Sequence, residues 1–324
     1  MQMDDKNRAK MNANVKTNSL KAWILAARPK TLSAAAVPVM IGVAFALRKC
    51  AGGHFDWTPA LLCLLFAWVM QIDSNFVNDY FDFKHGNDDS ETRLGPKRAC
   101  TEGWVTPTAM MWAIGITTLL GCLIGIPLII YGGMEMVLVG MACVAFCFLY
   151  TTTLSYLGLG DVLVLLFFGI VPVCCTYYVC MPYPMQMPTL EVFLASVACG
   201  LVIDTLLMVN NFRDRENDRR CGKMTLVVRL GDRGSKWLYQ HLGFFGVLIM
   251  CVIAFKDLWD EGRVLPVYLL YAVYVLLHGK TYRAMFRIDR GRELNKVLGM
   301  TARNILVFGI TAAAAILSLL LLHE

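Results

Sequence analysis

The sequence predicts an all-α polytopic membrane protein, a bundle of about nine transmembrane helices with its N-terminus in the cytoplasm. Three observations carry that expectation. Apolar residues make up 57% of the 324 positions and charged residues 17%, against roughly 25% charged in an average soluble chain. Mean hydropathy is +0.55, and the few charges leave gaps long enough for spanning helices, which need about 20 mainly apolar residues. None of the gaps shows the strict alternation of a barrel strand, so helices are how their backbone polar groups are satisfied in hydrocarbon.

In chain order, residues 1–30 form a basic N-terminal segment and residues 31–324 a single transmembrane domain. The first span, 31–47, lies between Lys30 and Arg48, and the second, 57–72, between Asp56 and Asp73. The third and fourth, 103–134 and 136–160, are divided by Glu135; the fifth and sixth, 162–190 and 192–210, by Glu191, with Asp204 interrupting the sixth. The last three are 237–255, 264–279 and 304–322. The first apolar run follows basic residues as a secretory signal would, but no persuasive cleavage site follows it, so it is expected to be retained. The 12 cysteines have no metal-ligand spacing and the 18 methionines read as core filler, which argues against a zinc site or a disulfide framework.

With that arrangement, 26 of the 30 Lys and Arg fall in the N-terminal segment and the even-numbered loops; only Arg48, Lys49, Lys256 and Arg263 lie on the other side. The positive-inside rule then puts the N-terminus and the long loops in the cytoplasm. The net charge of +6 is a topology and lipid signal. No aromatic-interleaved basic motif suggests nucleic acid.

The informative residues stand at the inner ends of the second and sixth spans. In Asn75–Asp88, NFVNDYFDFKHGND, the residues Asn75, Asn78, Asp79 and Asp82 follow i, i+3, i+4, i+7 and share one helix stripe. In Asn210–Gly231, Asn211, Asp214 and Asp218 do the same, with Asp204 seven residues earlier on nearly the same line. Asp73 faces away from the first stripe. A carboxylate turned to lipid costs on the order of 2.5–3.5 kcal/mol, so both stripes should face the bundle interior. Facing carboxylates repel by about 1–4 kcal/mol per pair, so a cation belongs between them. All-oxygen ligation suits Mg²⁺ completed by phosphates and water, and Lys84, Arg93, Lys97, Arg98, Arg213 and Lys223 suit the phosphates. Simple ion pairing at the headgroup level would explain either cluster alone; two matched clusters on one side favour a shared site. Their separation implies an internal pseudo-repeat, helices one to four and five to eight. A transporter would place acids at mid-membrane and at both faces, whereas these clusters hug one side, which favours an enzyme. The first segment does not fit a calcium loop.

These residues resemble the UbiA-type intramembrane prenyltransferase family. Asn78, Asp79 and Asp82 match its NDxxD-type motif, and Asp214 and Asp218 its DxxxD motif. ARPKTL at 27–32, GPKR at 95–98, YLGLGD at 156–161, FFG at 167–169 and TYYV at 176–179 are most similar to its 1,4-dihydroxy-2-naphthoate branch in menaquinone biosynthesis. Gly86 stands where many relatives outside that branch carry a third Asp, with Asp88 the nearest substitute, and TTTLSY follows Tyr150 in place of a Gly-Gly-Pro-like loop. The resemblance implies Mg²⁺ held by Asp79, Asp82, Asp214 and Asp218, with Asp88 a further candidate, the first four being the catalytic set. It also implies polyprenyl diphosphate as donor, contacted by Lys223 and Arg98 and more weakly by Arg28 and Lys30. Asn75, Asn78, Asn211, Tyr150 and Tyr156 are the candidate substrate contacts, the two tyrosines as carbocation-stabilising faces or interfacial aromatics. The implied reaction prenylates 1,4-dihydroxy-2-naphthoate with loss of CO₂ and diphosphate. An acceptor such as 4-hydroxybenzoate is equally compatible with the acidic motifs. The implied setting is the bacterial inner membrane, with lipid around the helices and the active site facing the cytoplasm.

Overall fold

A computed structural model describes residues 15–50, 53–86, 93–258 and 264–318. Within them every regular element is helical. Helix α1, Leu20–Ala27, is capped by Ser19, whose hydroxyl accepts from the Ala22 N–H. It stops at Arg28 because the Pro29 ring disfavours the α region for the residue before it; Arg28 instead takes a left-handed conformation, φ 52°, and a 3₁₀ turn, Pro29–Thr31, leads into α2, Leu32–Lys49. The segment from 20 to 27 therefore packs as part of the bundle: Ala22 and Ala26 are buried with Phe76, Trp104 and Met110.

Helix α3, Trp57–Lys84, carries the first acidic stripe and has 28 residues, about 42 Å of helix against a hydrocarbon core of about 30 Å. Its last turns hold the acids. The expected single span 103–134 is two helices, α4 (Pro107–Gly125) and α5 (Leu128–Gly132). Pro127 and the left-handed Gly133, φ 71°, set the limits of α5. Helix α6, Glu135–Leu149, continues into a π turn, Tyr150–Leu154. The next span runs through α7 (Gly160–Val164), a π segment (Leu165–Ile170) and α8 (Val171–Cys180). Pro172 explains the π segment: it removes one N–H and crowds the carbonyl four residues back. That carbonyl, of Phe168, accepts instead from the Cys199 thiol at 3.7 Å. Helix α9, Leu190–Arg220, has 31 residues and carries the second stripe. Helices α10 (Leu226–Leu258), α11 (Val264–Ile288) and α12 (Leu294–Ser318) complete the chain.

Eight helical stretches among the described residues are long and apolar enough to cross a membrane, and α11 occupies the position of the remaining expected span. This is an integral membrane protein. Helices α2 and α8 each pack against both α3 and α9, and α2 also packs against α12, so the two stripe-bearing helices border one common space. Close approach makes this possible: a Cβ on Gly42 would lie 2.7 Å from the Val173 carbonyl oxygen, and one on Gly169 would lie 2.7 Å from the Gly200 Cα. One buried cluster packs around the acidic end of α3 and another, with Phe212, Tyr239 and Leu294, around that of α9. Both helix ends are thereby held on firm supports.

Candidate active site

The first stripe does face inward, and each of its side chains has a separate partner. Asn75 donates from Nδ2 to the Ala27 carbonyl and to Thr31 Oγ1, both at 3.0 Å, so it anchors the loop that carries Arg28. Asn78 Oδ1 accepts from Thr151 Oγ1 at 2.6 Å, joining α3 to the π turn. Asp79 is 1% exposed. Its two oxygens accept the backbone N–H groups of Ala99 and Cys100, each at 2.8 Å, and Arg28 Nη2 lies 3.8 Å from Oδ2. Asp82 Oδ2 accepts from Arg98 Nη2 at 2.8 Å. The carboxylate of Asp79 thus fixes the turn that delivers Arg98 to Asp82.

On α9, Arg213 holds Asp214 through two hydrogen bonds, Nε to Oδ1 at 2.9 Å and Nη2 to Oδ2 at 2.6 Å. Its Nη1 donates to Asn295 Oδ1 at 2.9 Å, and Asn295 in turn donates to the Leu94 carbonyl at 2.8 Å. The Arg292 guanidinium adds a bond to the Arg93 carbonyl at 3.2 Å. These contacts tie the loop after the first acidic motif to the second motif through the start of α12. Asp218 is buried; its carbonyl accepts the Lys223 N–H at 2.8 Å.

Electrostatically the two ends form one system. Asp218 lies in Coulombic range of Lys223, Asp214, Asp82 and Arg213, and Tyr150 in range of Asp161, Asp204, Asp82 and Asp218. Arg93 stands between the motifs: burial, with Arg98 and Arg213 adding to it, pulls its guanidinium down to about 10, while Asp214 and Asp82 oppose the shift. Among the described residues no three His, Cys, Asp or Glu side chains already enclose a metal position; Asp79, Asp82 and Asp214 are paired with arginines. Such pairing is one way that inward carboxylates are neutralised. It also places a set of guanidiniums where planar bidentate recognition of phosphate needs them.

Beside the acids lies a cavity of about 10 Å³ lined by Tyr150, Ser155, Gly158, Gly160, Asp161, Asn211, Lys223 and Thr225. Of the residues expected from sequence to form a site, Asn75, Asn78, Asp79, Asp82, Arg28 and Arg98 gather at the end of α3, and Asn211, Asp214, Asp218, Lys223 and Tyr150 beside α9. Tyr156 contributes its carbonyl, which accepts from Met224 N–H at 3.2 Å. Lys30 is exposed on the 3₁₀ turn, and Asp88 lies outside the described residues. Asp73 is buried against α4, accepting from Thr117 at 2.5 Å and Thr118 at 2.9 Å. Sequence reasoning missed Asn295, Thr151 and Asp161. Thr151 begins the TTT run after Tyr150 and Asn295 lies in a polar stretch with Glu293 and Lys296, and neither has a periodic signal that singles it out; Asp161 ends the YLGLGD stretch and lies in the first turn of α7.

Residues 35–298 match the UbiA prenyltransferase family. The 1,4-dihydroxy-2-naphthoate octaprenyltransferase of Escherichia coli is 38% identical over 248 residues, covering 73% of this chain and 76% of its own. The protein of the same name from Mycobacterium tuberculosis is 34% identical over 303 residues, 92% of this chain and 97% of its own. Among solved structures, a UbiA homolog from Archaeoglobus fulgidus bound to GPP and Mg²⁺ shares the fold, with a TM-score of 0.59, 12% identity, and coverage of 90% of this chain and 99% of that one.

Proposed function

The chain belongs to the UbiA prenyltransferase family, and from that membership we propose that it transfers a polyprenyl group from polyprenyl diphosphate to 1,4-dihydroxy-2-naphthoate. Carbon dioxide and diphosphate leave, and demethylmenaquinol, the reduced form of demethylmenaquinone, is the product, a step of menaquinone biosynthesis. The observation that carries this reading is the joining of both acidic helix ends to one space through Arg213, Asn295 and the loop at Leu94. Its acceptor rests on the two naphthoate prenyltransferases that match most of the chain.

The donor set fits a hard divalent cation. Arg98 engages Oδ2 of Asp82 and leaves Oδ1, the Asp214 side chain is 29% exposed, and Asp218 adds a third carboxylate within range; all are oxygen donors, as Mg²⁺ prefers. Asp82, Asp214 and Asp218 would hold it, with Asp79 reaching it only through lone pairs not used by Ala99 and Cys100. When bound, Mg²⁺ would supply electrostatic neutralisation of the charge that develops on the diphosphate leaving group. Arg28, Arg93, Arg98, Arg213 and Lys223 bind the phosphate oxygens as that charge grows. Tyr150 turns its ring toward the allylic cation, and the ring of the acceptor attacks it. The isoprenoid tail stays among the lipid-facing helices while the diphosphate meets the acidic ends of α3 and α9. The concentration of basic residues on this face supports a cytoplasmic orientation in a bacterial inner membrane.

The test uses the full chain in nanodiscs with a labelled prenyl diphosphate and a panel of aromatic acceptors, with and without EDTA. Transfer to the naphthoate with release of CO₂ is expected, abolished by EDTA, restored by Mg²⁺, and lost in Asp82→Asn and Asp218→Asn. Turnover that survives chelation, transfer to 4-hydroxybenzoate alone, or ion flux in liposomes without transfer would overturn it.

A further inference from the structure

We propose that Asp161, backed by Asp204, receives a hydroxyl group of the aromatic acceptor and so determines which acceptors bind; the inference rests on the prenyl-transfer reading above. Neither residue has a part in the metal and diphosphate arrangement. Asp161 lies in the first turn of α7 and lines the cavity beside Asn211 and Lys223. Its Oδ1 is buried with no hydrogen-bond partner among the described residues, and so is Oδ1 of Asp204, a residue only 5% exposed. Neither carboxylate has a salt-bridge partner there. Buried carboxylates are normally paired or fully hydrogen-bonded, so two bare oxygens in one place point to a donor that arrives from outside.

The helices bring the pair together. Asp204, Leu207 and Asn211 follow i, i+3, i+7 on α9 and so share a face. Leu207 meets Gly160, where an added Cβ would be 3.3 Å from its Cδ2 and 3.7 Å from the Tyr150 ring. Asp161 follows Gly160 directly, and Asp204 and Asp161 lie in Coulombic range of each other and of Tyr150.

The cavity identifies the incoming group. Its volume of about 10 Å³ suits one water-sized group, which is the size of a hydroxyl and far too small for a ring. The lining also includes the polar residues Ser155, Thr225, Asn211 and Lys223. Asp161 is the single carboxylate in the lining, and among the described residues no three His, Cys, Asp or Glu side chains gather to hold a metal. A hydroxyl donates to Asp161, and the ring to which it is attached lies at the mouth against Tyr150. A hydroxylated aromatic ring carries both features in one molecule.

The experiment measures binding of 1,4-dihydroxy-2-naphthoate and of its dimethyl ether to the full chain in nanodiscs by calorimetry, without donor, and then the KM values for naphthoate and prenyl diphosphate. The wild-type protein should bind the dihydroxy compound about 10- to 100-fold more tightly than the ether, as expected when a buried acceptor loses its donor. Asp161→Asn should erase most of that preference and raise the naphthoate KM by a similar factor, leaving the prenyl diphosphate KM unchanged. Asp204→Asn should act in the same direction and less strongly. An unaltered preference in Asp161→Asn, or a change confined to the diphosphate KM, overturns the inference. So does a wild-type protein that binds ether and diol equally, a result that needs no variant to fold. Binding that depends on Asp161 in a protein that does not prenylate the naphthoate would instead refute the prenyl-transfer reading alone.

Discussion

Asp79 and Asp82 belong to one motif, three residues apart, yet replacing each with Asn has different physical consequences. Asp79 accepts two backbone N–H groups on separate oxygens, both at 2.8 Å. Asparagine has one carbonyl oxygen, so its amide group must face the second N–H as donor against donor. A hydrogen bond to a charged group contributes about 1.5–3 kcal/mol, and each 1.4 kcal/mol is tenfold in an equilibrium. Opening of the turn at 99–100 should therefore become about 10- to 140-fold more frequent in Asp79→Asn. Hydrogen exchange of the Ala99 and Cys100 amides, followed in nanodiscs, reads this directly. Asp82→Asn touches only the Arg98 side chain and should leave both amides protected, although both variants should lose turnover. Full protection in Asp79→Asn, or equal loss in Asp82→Asn, would refute the assignment of Asp79 to the turn.

Two further outcomes test the supports of the site. Gly95→Ala would put a Cβ 2.6 Å from Arg213 Nη2, displacing the guanidinium that spans Asp214 and Asn295. Steady-state assays should show about 10- to 100-fold loss in kcat/KM for prenyl diphosphate, the usual effect of a misplacement near 1 Å, with the melting temperature changed little. At the far end of α11, Asp289 is hydrogen-bonded to Lys236, which holds its carboxyl below the usual range. A depressed carboxyl pKa stabilises the fold fully above the ordinary Asp value of about 3.9, and the contribution is lost as pH falls below that value through the folded one. Thermal melting between pH 6 and 3 should therefore fall more steeply for the wild-type protein than for Asp289→Asn; parallel curves would show that the pair adds nothing.

The spans were legible because hydropathy is a local property, but their ends were not. The apolar run 103–134 holds a break at Pro127 and Gly133, and the run 162–190 stops as a helix at Cys180, before Pro182 and Pro184. Conversely, α3 and α9 run on to Lys84 and Arg220, well past the apolar runs 57–72 and 192–210, because a helix can continue on buried tertiary contacts. The acidic stripes were visible from 3.6-residue periodicity, which determines a common face within one helix.

That same periodicity is silent about partners. The sequence by itself determined the membrane, the helical architecture and the inward direction of Asp79, Asp82, Asp214 and Asp218, since each follows from the cost of polar groups in lipid. Only the tertiary structure decided that Asp79 is taken by two backbone N–H groups while Asp82 keeps an oxygen available, that Asn295 joins the two motifs from 82 residues beyond Arg213, and that Asp161 lies in Coulombic range of Asp204. These pairings depend on how closely helices can approach, as at Gly169 and Gly200. Such distances are set by shape across the bundle, for which a single chain has no local pattern.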